Sequence, residues 1–261
     1  MNILKAYIQN FLKYRYLLKE LVVKDVKLKY RRSFLGIIWS ILNPLLMMIV
    51  LSIVFSTVFK RNIPNFTVYL LTGRVLFEFF SQATNSSMRA VISNSSLIKK
   101  VYIPKYIFPL ASCLSSFVNL LFSLVAIIIM LVITKVKITW SIILFPLPLI
   151  YVLLFSTGVG MILSAYGVFF RDIVHLYGVL LTALMYFTPL FYPVDIIPPK
   201  YQFIIKLNPL YYNIECFRQI VLYGVSPSLQ LHLTCFFIGI ITLLVGMFLF
   251  YRKQDKFILY L

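Results

Sequence analysis

Long apolar runs separated by short polar segments organise this chain. Four runs hold no Asp, Glu, Lys, Arg or, with one exception, His: 33–59 (27 residues), 106–134 (29), 138–170 (33) and 219–251 (33, interrupted only by His232). A fifth, 173–194, adds 22 residues with His175. A transmembrane α-helix needs about 20 apolar residues to cross about 30 Å of hydrocarbon. Each run is therefore long enough to span once and too short to span twice with a turn. A sixth stretch, 65–88, contains Arg74 and Glu78. These sit at i and i+4, where they can pair on one helix face and lower the cost of entering the membrane. The pattern predicts an all-α integral membrane chain with six transmembrane helices, at 33–59, 65–88, 106–134, 140–170, 173–194 and 229–251.

Two further elements follow from polar positions. Before the first run, Leu17, Leu18, Leu21, Val22 and Val26 recur at helical spacing, with Lys13, Glu20, Lys24, Lys27 and Arg31 on another face. Segment 1–32 is thus expected to hold an amphipathic interfacial helix lying along the inner leaflet, apolar side down. After the fifth run, Pro189, Pro193, Pro198, Pro199 and Pro209 cut the chain into pieces too short to cross. Such pieces survive at membrane depth only when packed in protein or lining water. Segment 196–223 is accordingly read as re-entrant short helices on the outer side.

Charge sets the orientation. With the N-terminus inside, the inner segments carry 17 Lys and Arg and the outer ones seven, counting Arg218 among the latter. Lys and Arg accumulate on the cytoplasmic side, so both termini, including the tail 252–261, are expected there. The chain is 61% hydrophobic and 12% charged, with mean hydropathy +0.94, which excludes an ordinary soluble domain. Its net charge of +18 lies outside the apolar runs, so membrane lipids rather than nucleic acid are the expected partner. The N-terminal run is too long and starts too late for a cleavable signal. Cys113, Cys216 and Cys235 form no CxxC pair and suit core packing. No repeat or linker divides residues 1–261, which read as one membrane domain.

The chemistry-bearing residues are sparse. The seven acids have no two members within four positions, the two histidines are isolated, and no P-loop spacing occurs. No catalytic or metal-binding set is expected. Aromatic rings are abundant instead, and Tyr151, Phe155, Tyr186, Phe187, Phe191 and Tyr192 fall in the fourth and fifth spans. A ring presents a broad face that can stack on a sugar without holding it tightly, so these six are candidates for a glycan pathway.

Several segments resemble the transmembrane permease subunits of ABC-type polysaccharide exporters, which move O-antigen, capsular polymer or teichoic acid. They run from Glu20 to Tyr30 (ELVVKDVKLKY), then Leu35 to Ser40 (LGIIWS) and Asn43-Pro44. Ser93 to Lys105 (SNSSLIKKVYIPK) follows, then Phe169 to Ile173 (FFRDI), Phe187 to Tyr192 (FTPLFY) and Asn208 to Leu210 (NPL). The resemblance covers nearly the whole chain. It implies a homodimer working with two ATP-binding subunits, which hold the ATP and Mg while this chain holds no cofactor. It also implies a coupling helix at 94–105 that docks on the ATPase, with Asn94, Leu97, Ile98, Lys99, Lys100, Tyr102, Pro104 and Lys105; physically, a short helix ended by Pro104 fits. The N-terminal helix matches a gate helix bearing Lys24, Lys27, Tyr30 and Arg31. Arg74 and Glu78 depart from the family pattern. The function implied is export of a lipid-linked polysaccharide across the bacterial cytoplasmic membrane by a multi-pass, non-enzymatic subunit. A permease for a drug or lipid, or an integral membrane glycan-synthesis enzyme, are the alternatives.

Overall fold

A computed structural model describes residues 13–31, 33–59 and 65–261, and every regular element among them is helical. Residues 1–12 and Arg32 of the expected N-terminal helix, and Lys60 and Arg61 of the first outer segment, lie outside the described residues.

Helix α1 (Arg15–Tyr30) contains neither Gly nor Pro. Its apolar side, expected to face lipid, is partly taken up by protein. Leu18 and Leu21 are buried in a cluster with Ala90, Val91, Ile98, Phe108 and Phe250. The ends of the neighbouring helices offer enough apolar surface to cover it. A single 3-10 turn (Gly36–Ile38) then leads into α2 (Trp39–Phe59). Gly36 takes φ +50°, a left-handed conformation that glycine adopts without a Cβ penalty. Pro44 stands inside α2. Lacking an N–H, it frees the carbonyl four residues earlier, and that carbonyl, of Ser40, accepts the Ser123 hydroxyl of the third span at 3.0 Å. The proline thus converts an intrahelical bond into one between helices.

Helix α3 (Phe66–Ser93) is the centre of the molecule, with 28 residues and most of them buried. It runs five residues past the expected end at 88, because Arg89 occupies an open face and does not interrupt the apolar one. Asn94 then turns the chain into α4 (Ser95–Lys100). The expected coupling helix is shorter than 94–105. It stops at Lys100, where Val101 is already extended, so Pro104 is not what ends it. Helix α5 (Ile107–Ile133) follows, then a 3-10 turn (Trp140–Leu144) and α6 (Pro146–Gly167), whose first residue is a proline that needs no partner for a missing N–H.

Helix α7 (Ile173–Phe187) has 15 residues, not the 22 of the expected span. Thr188 precedes Pro189 and is forced into the extended region. The break is held: Thr188 Oγ1 accepts Asn208 Nδ2 at 2.8 Å. Two 3-10 turns, Val194–Ile196 and Pro199–Tyr201, precede α8 (Gln202–Lys206) and α9 (Pro209–Val221). Asn208 caps α9 by accepting the Leu210 N–H at 3.0 Å. Helix α10 (Leu229–Lys253) ends the bundle and packs most extensively on α6. There a Cβ on Gly158 would strike the backbone of Thr242 and Leu243, and one on Gly246 would strike the Gly158 carbonyl. Small residues let the two backbones touch.

Among the described residues, four helical stretches suffice by length and composition to cross a membrane: Gly36–Val54, Ile107–Ile133, Trp140–Gly167 and Leu229–Leu259. Helix α3 is long enough but charged, and α7 is apolar but short.

Candidate functional site

Polar residues on α3 fall on one face: Arg74, Glu78, Ser81, Gln82, Asn85, Ser86 and Arg89. Steps of three and four keep them in line along a helix, and at 1.5 Å per residue the row is about 22 Å long. The other faces carry Leu71, Val75, Leu76, Phe80 and Ala83, all buried. Opposite the polar row, α5 presents Ser112, Ser115, Ser116, Asn119 and Ser123. A cavity of about 310 Å³ lies between these helices, α1 and α2, and one of about 700 Å³ between these helices and α1. They share Lys29, Gln82, Ser116 and Asn119, so they form one groove. A third cavity of about 190 Å³, between α3 and α7, includes Arg74, Glu78, Gln82, Thr182 and Met185. Gln82 borders all three.

A hydrogen-bonded chain crosses the groove. Arg74 Nη2 pairs with Glu78 Oε2 at 3.3 Å. Glu78 Oε1 accepts Gln82 Nε2 at 2.9 Å, and Gln82 Oε1 accepts Lys29 Nζ at 3.1 Å. The ion pair that the sequence marked as unusual is thereby the head of a network that reaches α1. Beside it, the Tyr30 hydroxyl donates to Asn119 Oδ1 at 2.9 Å and contacts the Ser40 hydroxyl. Burial lowers the Lys29 ammonium from its ordinary pKa, an effect opposed by Glu78. Burial raises the Asp25 carboxyl, opposed by Lys24.

The expected coupling residues collect at the end of the bundle where α3 turns into α4. Lys24 Nζ reaches Asn94 Oδ1 at 3.5 Å, so α1 touches the corner where α3 turns into α4. Ile98 anchors α4 in the cluster that holds Leu18 and Leu21, with Leu97 packed at its edge. Lys99 and Lys100 are exposed, and Tyr102 is 92% exposed. Pro104 is half-buried, and Lys105 Nζ donates to the Gln254 carbonyl at 2.8 Å, tying this loop to the C-terminal turn. Of the other gate candidates, Lys27 and Arg31 are exposed and Tyr30 lines the groove.

The six aromatic candidates divide. Tyr151 is buried, facing His232 and Phe236 edge-on, its hydroxyl 3.3 Å from His232 Nδ1. Phe155 is buried and stacks on Phe80 at 5.3 Å. Phe191 is buried as well. These three rings belong to the hydrophobic core of the chain. Tyr186 and Phe187 are exposed on α7, and the Tyr192 hydroxyl donates to the Tyr186 carbonyl at 2.5 Å.

Arg218, counted above with the outer segments, is buried. It lies 1% exposed inside α9. Its guanidinium donates to the carbonyls of Pro189 (2.9 Å), Tyr69 (3.1 Å) and Leu190 (3.4 Å). It therefore pins α9 to the start of α3 and to the proline break after α7.

The groove itself was not singled out from sequence. Its signal was available: small polar residues at steps of three and four inside the 106–134 run, matching a polar row through Arg74 and Glu78.

The family described as ABC-2 type transporter matches residues 16–222. An O-antigen export system permease protein of Klebsiella pneumoniae is 32% identical over 249 residues, covering 93% of this chain and 95% of the relative. One of Myxococcus xanthus is 28% identical over 252 residues, covering 96% and 97%. A polysialic acid transport protein of Escherichia coli is 24% identical over 250 residues, covering 90% and 92%.

Proposed function

Because the chain belongs to the ABC-2 type transporter family and is a permease of the polysaccharide-export kind, we propose that it forms the channel of an ATP-driven exporter. The cargo is a lipid-linked polysaccharide, moved outward across the cytoplasmic membrane. The observation that carries this reading is the continuous polar groove beside α3, since a hydrated polymer needs hydrogen-bonding walls where lipid would otherwise be.

Six helices cross. Helix α3 has 28 residues, about 42 Å at 1.5 Å per residue, and turns its charges into the groove. Helix α7 covers only about 22 Å by the same rise, and the buried stretch 188–191 completes its passage, an arrangement tolerated where protein surrounds the backbone. The bias of Lys and Arg supports both termini inside. Two copies pair, with the exposed rings of Tyr186 and Phe187 on α7 and the Arg74–Glu78 end of the groove opening on a common side through the third cavity. Glycan stacks on those rings and on Tyr192 near the outer end.

Energy comes from two ATP-binding partner subunits docked on α4. A displacement of α4 passes through Asn94 to Lys24 on α1, and α1 walls the groove through Lys29 and Tyr30. Nucleotide binding in the partner thus widens or narrows the path.

Deletion of the gene tests the reading. Surface glycan should disappear while lipid-linked polymer accumulates inside. Normal surface glycan in the deletion strain, or polymer made but absent from both compartments, would contradict it.

A further inference from the structure

The Arg74–Glu78 pair carries an inference that rests on the polysaccharide-export reading and narrows its cargo. Acceptors near it are already used: Glu78 Oε2 takes Arg74, Glu78 Oε1 takes Gln82, and Gln82 Oε1 takes Lys29. Donors are left over. A guanidinium offers five N–H groups. On Arg74, Nη1 meets only the thioether of Met185 at 3.4 Å, a weak acceptor, and the buried Nε has no partner. The groove walls also hold three cations, Lys29, Arg74 and Arg89, against the carboxylates of Asp25 and Glu78. A site with spare, partly desolvated donors and surplus positive charge favours an anionic, acceptor-rich ligand.

We infer that Arg74 is a subsite for an acidic sugar, its carboxylate bound by the planar fork of the guanidinium as a polymer passes between α3 and α7. Glu78 is the internal competitor. It holds Arg74 when the groove is empty and yields when a sugar carboxylate arrives, so an acidic residue is recognised without being trapped. A neutral sugar lacks the charge needed to displace Glu78.

The test uses the complete transporter, with its ATP-binding partner, in lipid nanodiscs. Binding of a hexuronate tetrasaccharide is compared with that of a neutral hexose tetrasaccharide and of a short isoprenyl diphosphate. The acidic tetrasaccharide should bind about tenfold tighter than the neutral one, as one added charge-assisted pair provides. Arg74→Gln should erase that difference and leave the neutral ligand unchanged. Glu78→Gln, which frees Arg74, should instead tighten the acidic ligand severalfold, a change that misfolding cannot produce. Equal binding of both tetrasaccharides, no gain in Glu78→Gln, or competition at Arg74 by the isoprenyl diphosphate alone would overturn the subsite while leaving polysaccharide export standing. Failure of every glycan to bind would overturn both.

Discussion

The guanidinium carbon of Arg218 lies 3.5 Å from the centre of the Tyr69 ring, while its Nη2 donates to the Tyr69 carbonyl. The Tyr69 hydroxyl lies within hydrogen-bonding reach of the Pro189 (3.1 Å) and Tyr192 (2.8 Å) carbonyls. One buried cation thus satisfies the carbonyls that the proline break leaves without helical partners. Arg218→Ala should cost about 3–5 kcal/mol, the usual effect of breaking a buried charged network. Arg218→Lys should recover only part, since an ammonium lacks the planar fork. Gly73→Ala should act in the same direction, because its Cβ would sit 2.5 Å from Arg218 Nη2. Thermal unfolding of the purified protein in detergent checks all three.

The division among the aromatics separates stability from transport. Phe155→Ala removes a buried ring stacked on Phe80 and should destabilise by about 3–5 kcal/mol. Tyr186→Ala and Phe187→Ala alter exposed rings and should stay within about 0.5 kcal/mol of the parent while slowing export. Melting curves read beside surface-glycan yield distinguish the two classes.

Helix α4 presents charge without contributing it to the fold. Replacing Lys99 and Lys100 by Glu should leave the melting temperature unchanged, because Ile98 is the residue that anchors the helix. Co-purification of the ATP-binding subunit should fall severalfold. Tyr102→Ala should weaken assembly similarly, about 2 kcal/mol being the loss on truncating a hot-spot Tyr.

Asp25 supplies a pH dependence. Burial raises its carboxyl above the ordinary 3.8, with Lys24 opposing. The folded protein therefore holds that proton more tightly than the unfolded chain. The associated stability is complete below 3.8 and is lost as pH rises through the raised folded value. Asp25→Asn should be as stable as the parent or more so at pH 7, and the difference should vanish in acid. Unfolding measured across that range gives the sign.

The apolar helices were legible because a charge-free run of this length has few other uses, and each of the six stretches, the charged 65–88 included, holds a helix. Boundaries were less legible where one face contradicts another. Arg89 looked like the end of a span, yet it stands on the groove side of a helix that continues to Ser93. At Thr188 the local effect of Pro189 overrode an apolar pattern that ran on. The burial of Arg218 was not legible because a sequence does not display the carbonyls that accept its N–H groups. The polar groove was hidden for a related reason: Ser112, Ser115, Ser116 and Asn119 barely lower the hydropathy of the run that contains them, whereas aromatic rings stand out in a sequence, and three of the six candidates belong to the core.

Gln82 borders all three cavities, which makes it the place to ask whether polymer passes through the groove. A photo-crosslinking side chain at position 82, activated in cells exporting glycan, should capture polymer only when the ATP-binding partner is active. The same side chain at Leu244, exposed on the apolar face of α10, should capture none. Export that continues with glycan captured at 244 and not at 82 would contradict the account.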